Sequence, residues 1–470
     1  MSSKPVEPSV LKKGMSFVRS NLALISLIII GIISIPLYAI PRQPWELGSH
    51  LITVYRYYTP AVILYLIAAL IVWRSKRLGM AALYAILILG FGSRAVLVTA
   101  GPFFSSDINR YVWDGRVQAA RINPYIYIPA DPHLAALRDE KVYPSINRKE
   151  YAPTLYPPAA QVIFLTTYLI GGMSVTSMKI SMLLFEGITT LFLILIFRRL
   201  KQPPVRVLFY LWNPLIIWEL ASSGHIDSAM IAMLAIAVWA YLTDRAIVTG
   251  IFFALATWVK LYPAILFPAF YKKWDWKMPV AGGVTTLALF APYLAAGKSL
   301  LAWTDHYFSE EAYVSGNRYY LYGKILAMFP GFSLNAYVVL GMIGLMAAGM
   351  VIILRRRETT ETVVGDILAL ITLWMVIDSP HFPWYFTWLA FAAAIKPRPS
   401  YILLSVLGFA DYVGWVEQEH PGIQAFVNDF KFTIFYTTLV AENLWSSRLG
   451  RDLKQWLQVK TGRQLLPSET

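Results

Sequence analysis

Long apolar runs separated by short polar breaks organise this chain almost from end to end. Asn21 to Ile40 carries no charged residue, and about twenty apolar residues in a helix reach across the ~30 Å hydrocarbon core of a bilayer. Comparable runs recur at 58–73, 79–99, 178–197, 205–223, 228–243, 246–259, 261–271, 279–296, 332–354, 363–378, 384–395, 400–416 and 431–446. The pattern predicts an all-α polytopic membrane protein with about 12–14 transmembrane helices. Lys12, Lys13 and Arg19 precede the first run as in a signal peptide. That run is too long for one, and no small-residue cleavage site follows, so it reads as a retained first helix.

Polar punctuation sets the topology. With the N-terminus inside, Arg74, Lys76 and Arg77 end the second span on the cytoplasmic side, and the third span leads out. The stretch 158–172 decides the later phase. If it lies along the membrane surface instead of crossing, the basic clusters Arg198 with Arg199 and Lys201, Arg245, Lys272 with Lys273, Arg355 to Arg357, Lys396 with Arg398, and the tail residues Arg448, Arg451 and Lys454 all fall inside. It is therefore read as an interfacial helix. The outer loops, 101–157 and 297–331, are long and rich in Tyr, Trp, Pro, Asp, Asn and His, whereas the inner ones are short and basic. This divides the chain into three N-terminal helices (1–100), an external loop with juxtamembrane helices (101–177), a central transmembrane helix set (178–296), an external loop (297–331), and C-terminal helices with a cytoplasmic tail (332–470).

Composition agrees. The chain is 57% hydrophobic and only 14% charged, against about one-quarter charged in soluble domains. Its net charge of +14 follows from basic loops held on one side, so no nucleic-acid partner is implied. With no cysteine, neither disulfides nor thiolate metal sites are available.

Candidate chemistry collects at outer helix ends. Asp107, Arg110, Tyr111 and Asp114 share one face if their segment is helical, with Arg116 close behind. That face reads either as a salt-bridged juxtamembrane helix or as a site, and Asp107 emerges directly from a span, where a carboxylate is costly unless paired or in use. His225 and Asp227 form a second group; Asp227 can equally N-cap the helix after it. Lys260 stands at the tip of a run, 246–259, that is only about 21 Å long as a helix, short of a full crossing. It either faces a polar cavity or snorkels to the interface, with Tyr262 beside it. Asp378 to Tyr385 adds His381, between two prolines, and Tyr385 just after them, and Arg318 with Tyr319, Tyr320 and Tyr322 forms an aromatic–basic patch suited to sugar or phosphate, or to interface anchoring.

Several of these segments resemble one family. They are Ser106 to Ala120, Ile122 to Tyr125, Tyr156 to Pro158, Gly224 to Asp227, Trp258 to Pro263 and Ser379 to Tyr385. Together they resemble bacterial GT-C glycosyltransferases, and within them the family-87-like polyprenyl-phosphate mannosyltransferases, over about 100–390. The resemblance implies transfer of a hexose, mannose by this likeness, from a polyprenyl-phosphate-linked donor to a lipid or glycan acceptor at the outer face, with inversion. The enzyme would sit in the inner (plasma) membrane, facing the periplasm or exterior. It implies Asp107 as general base. Arg110, Tyr111, Asp114, Arg116, His225, Asp227, Lys260, Tyr262, Arg318, His381 and Tyr385 are expected around the substrates, with Lys260, Arg110, Arg318 and His381 as candidates to neutralise the leaving phosphate. The loop carrying Asp107 follows the third helix here instead of the first, and the Asp-x-Asp of some relatives reads Asp107-Ile108-Asn109; no metal and no cofactor is expected. The rival reading is a polytopic transporter or flippase of a lipid-linked or small polar substrate. It predicts polar residues along mid-membrane helix faces instead of at outer ends.

Overall fold

The computed structural model describes residues 8–39, 51–75, 78–310, 312–355, 359–416 and 420–447. Lys76, Arg77, Arg356, Arg357, Arg448, Arg451 and Lys454, used above to phase the topology, lie outside them. So do the side chains of Lys12, Lys13 and Arg19. Among the described residues the chain is helical without strands. It is an all-α polytopic membrane protein.

Six described helices are long and apolar enough to cross a membrane: Asn21–Ala39, Leu51–Arg74, Met80–Val98, Val175–Arg199, Lys277–Ala296 and Leu334–Leu354. Ile29, Ile88, Leu184, Leu287 and Met346 on these helices are exposed. Such apolar surface is a liability in water and is what lipid solvates. A seventh crossing arises if Pro214–Ser222 and Asp227–Leu242, bent by 116° at their junction, count as one span.

The other apolar runs form shorter pieces, and local chemistry explains the breaks. In 205–223 the helix Leu208–Leu211 stops before Asn213 and Pro214. Proline cannot continue the ladder, and the Asn213 side chain accepts a bond from the Leu215 amide at 2.9 Å. The freed Leu211 carbonyl is taken by the Arg94 guanidinium at 2.7 Å, which also pairs with Glu186 at 2.6 Å. The chain then winds into a π turn, Ile217–Ser222. Pro263 and Pro268 likewise reduce 261–271 to the turns Tyr262–Leu266 and Phe267–Phe270. Thr387–Ile395 is a helix of nine residues, all of them buried. A helix apolar on every side belongs to a protein interior as readily as to lipid, and hydropathy alone cannot separate the two.

Asp107–Ala119 forms the expected helix and packs on Pro158–Gly171, a helix of fourteen residues in the stretch read as interfacial. The pair approach closely because Gly115 has no side chain: a Cβ there would lie 2.5 Å from the Phe164 carbonyl oxygen. Behind them pack Val175–Arg199, Asp227–Leu242 and Ala246–Val259. The last two are consecutive and antiparallel. Asp227 at the start of one and Lys260 at the end of the other therefore share one end of the bundle, with Arg245 at the opposite end.

Candidate active site

Asp107 is the first residue of its helix. Its Oδ1 accepts a 2.5 Å bond from Asn147 Nδ2 and faces Arg148 at 3.8 Å, while its Oδ2 lies 3.8 Å from His225 Nδ1. Its side chain keeps 14% of its surface exposed, enough for an incoming hydroxyl to reach. Burial works to raise the Asp107 carboxyl, but His225, then Arg148 and Lys260, together with the Asn147 bond, outweigh it. The carboxylate is held below its usual range and stays ionised at neutral pH.

His225 is fully buried and stands between two acids, with Nε2 3.2 Å from Glu219 Oε2. Glu219 in turn accepts a 3.0 Å bond from the Tyr412 hydroxyl. The turn that delivers His225 needs Gly224: φ there is +71°, and a Cβ would run into the Ile108 side chain, next to Asp107. Trp384 joins this group to a second one. Its ring lies 4.5 Å from the His225 ring and 5.7 Å from Lys260 Nζ.

In the second group Lys260 Nζ pairs with Asp227 Oδ2 at 3.1 Å, and Tyr262 donates to Asp227 Oδ1 at 2.9 Å. Asp227 thus directs its carboxylate across to Lys260 and Tyr262; its helix has no side-chain cap bond, which corrects the capping alternative. Lys260 lies 5.2 Å from the Tyr385 ring centre. Arg318 lies 3.8 Å from the Tyr313 ring and 5.9 Å from that of Tyr385, with a 2.6 Å bond to Asp378.

The remaining expected residues do other work. Arg110 Nε bonds Asp114 at 2.8 Å and its terminal nitrogens reach the Ala152 carbonyl. Asp114 also accepts from Thr154 at 2.5 Å and Gln161 at 3.0 Å. With side chains 3% and 2% exposed, the two bind the 152–154 loop and the neighbouring helix, and neither offers a free charge to a substrate. Tyr111 stacks on Phe164 at 4.5 Å. Arg116 reaches Asp139 at 3.5 Å. His381 packs on Phe382; burial, then Arg318 and Lys431, push its imidazole down to about 3. A neutral imidazole adds no cation to a phosphate site.

Four residues of this site were not singled out in the sequence: Asn147, Arg148, Glu219 and Tyr412. Glu219 alone left a signal, an acid inside the apolar run 205–223. Among the described residues no group of three or more His, Asp or Glu is gathered to hold a metal ion. A cavity of about 630 Å³ opens elsewhere, at the far ends of the same two helices, lined by Asp244, Arg245, Lys272 and Trp274 among others.

Residues 94–275 match a family model described as alpha-(1->6)-mannopyranosyltransferase, N-terminal domain. This supports a mannosyl glycosyltransferase and agrees with the GT-C, family-87-like resemblance. A search of the curated proteins found no match. The mannosyltransferase-like segment holds Asp107, Asn147, Arg148, Glu219, His225, Asp227 and Lys260. Arg318, Trp384, Tyr385 and Tyr412 come from beyond it, so the site is closed by the C-terminal part of the chain.

Proposed function

We propose that this protein transfers a mannosyl residue from a polyprenyl-phosphate-linked donor to a hydroxyl of a lipid or glycan acceptor, at the outer face of the inner (plasma) membrane. The observation that carries the reading is Asp107, a carboxylate with 14% of its side chain exposed, held ionised beside Arg148 and Lys260, within the segment that matches the mannosyltransferase model. An alcohol is a weak nucleophile, and a positioned carboxylate removes its proton as it attacks. The phosphate leaves without needing a proton; it needs its charge met. Lys260, 13% exposed beside Tyr385, is the cation suited to that, while Arg318, its side chain buried and bonded to Asp378, holds the other side of the Tyr385 ring.

Charge supports this orientation: Arg245 stands at the helix ends opposite to Asp227 and Lys260, and the positive-inside rule favours such basic ends on the cytoplasmic side. A direct attack opposite the phosphate inverts the anomeric carbon. An α-linked product then requires a donor whose mannose is β-linked to phosphate. The test is transfer of radiolabelled mannose from synthetic β-linked polyprenyl-phosphate mannose to membrane acceptors, with and without EDTA. Transfer of an α-linked mannose insensitive to EDTA is expected. Use of a sugar nucleotide instead of the lipid donor, or a β-linked product, overturns the reading.

A further inference from the structure

The cavity of about 630 Å³ at the end of the bundle away from Lys260 has no part in the proposed transfer. It lies where two helices of fourteen residues begin side by side, Ala246–Val259 and Lys277–Phe290. They run parallel and close: Gly250 lies against the Met278 carbonyl, and a Cβ there would collide with it. Three cations line the walls. Arg245 comes from one helix start, Lys277 from the other, and Lys272 from the segment between them. Two carboxylates line the cavity as well, and both are engaged. Asp244 holds Lys272 at 2.5 Å, and Asp275 accepts a bond from the Lys277 amide at 3.0 Å. Arg245 and Lys277 have exposed side chains, and among the described residues neither meets a carboxylate. The cavity is therefore left with a surplus of positive charge, to which the starts of two helices without an acid in their first turns add.

The surroundings separate a lipid from a soluble anion. Trp274 and Trp276 stand at the rim, 84% and 66% exposed, and tryptophan so placed suits the headgroup level of a bilayer. On the helix face that carries Lys277, the residues Val280, Val284 and Leu287 follow at steps of three and four, all exposed. Their helix is one of those long and apolar enough to cross a membrane. A cationic cavity thus opens at the foot of an apolar stripe about 15 Å long. Charged head and apolar tail are met in the order in which a phospholipid presents them.

We propose that this cavity binds the phosphate headgroup of an anionic glycerophospholipid, in the leaflet opposite the active site, with an acyl chain laid along Val280, Val284 and Leu287. Arg245 and Lys277 meet the phosphate, and Trp274 and Trp276 flank the glycerol. The site goes beyond the mannosyl-transfer reading and does not depend on it.

The test titrates the full chain in detergent with dioleoylphosphatidylglycerol and follows the first bound lipid by native mass spectrometry. Dioleoylphosphatidylcholine, which has no net charge, and inorganic phosphate, which has no acyl chain, are the comparisons. The anionic lipid should bind at least about tenfold more tightly than either. A cation near the headgroup contributes about fivefold in affinity, so Arg245→Gln and Lys277→Gln should each weaken binding by about that factor, and the double variant by more than either. Arg198 is an exposed cation outside the cavity, at the helix end that Arg199 ties to the Leu242 carbonyl. Arg198→Gln should change the affinity by less than about twofold. The altered side chains are exposed, so thermal unfolding without added lipid should match the parent; if the double variant does not fold, the single variants carry the comparison. Equal affinity for the two lipids overturns the proposal, and phosphate binding as tightly as the anionic lipid makes the occupant a soluble anion. Parent affinity in the folded variants, or an equal loss in Arg198→Gln, would show attraction by general surface charge and no site.

Discussion

Lys260→Met separates two tasks that one side chain performs. Structurally, Lys260 neutralises Asp227, a fully buried acid 3.1 Å away. Removing one partner of a buried pair costs about 3–5 kcal/mol. Here Tyr262 still donates to the other oxygen and Lys260 is 13% exposed, so a loss of about 2 kcal/mol is expected. Chemically, Lys260 would also meet the leaving phosphate. A charge-assisted bond is worth about 1.5–3 kcal/mol, or about 10–150-fold in kcat/KM. The second substitution, Asp227→Asn, tells these apart. The double variant has no buried unpaired charge, so its thermal stability in detergent should recover to within about 1 kcal/mol of the parent. Its transfer from the lipid donor should stay as low as in Lys260→Met. If activity recovers along with stability, Lys260 is a counter-ion for Asp227 and nothing more, and its role at the phosphate is refuted.

Other expectations follow from single features. Gly115→Ala should destabilise by about 1–3 kcal/mol, since the added methyl meets the Phe164 backbone; thermal unfolding measures it, and an unchanged midpoint contradicts the close packing. Asp114→Asn should lower stability and leave the KM for donor unchanged, because Asp114 serves Arg110, Thr154 and Gln161. Asp107 has a lowered carboxyl in the fold, so its charge is present above the ordinary carboxylate range and is lost only as pH falls through that lowered value. Transfer rates should therefore show no acid limb from Asp107 between pH 5 and 8. Arg148→Gln with Asn147→Ala should move that limb upward, and a limb that stays put would show that these two groups do not hold the carboxylate down.

The parts legible in the sequence were those where a polar residue interrupts an apolar run. Asp107, His225, Asp227 and Lys260 each stand at the edge of a hydrophobic stretch, where charge is costly enough to be noticed. The structure gathers them. The run 205–223 misled because hydropathy reads composition, not continuity. Asn213, Pro214 and the capture of the Leu211 carbonyl by Arg94 break it, and Glu219 sits in the broken part. Thr387–Ile395 is apolar all round and buried in protein, a setting that hydropathy does not separate from lipid. Asn147, Arg148 and Tyr412 reach the site through loop closure and long-range packing, and residues so placed carry no periodic signature. Arg110 and Asp114 show the converse. Their spacing correctly put them on one helical face, yet that face is spent on holding a loop.

The most direct test of the account is transfer of radiolabelled mannose from β-linked polyprenyl-phosphate mannose to membrane acceptors by the parent protein and by Asp107→Asn. Both are first matched for thermal unfolding. Asn keeps the shape of the side chain and cannot take a proton, so transfer should fall by about 10²–10⁴-fold against an active parent. A folded Asp107→Asn protein that transfers mannose at close to the parent rate would contradict the assignment of Asp107 as the base.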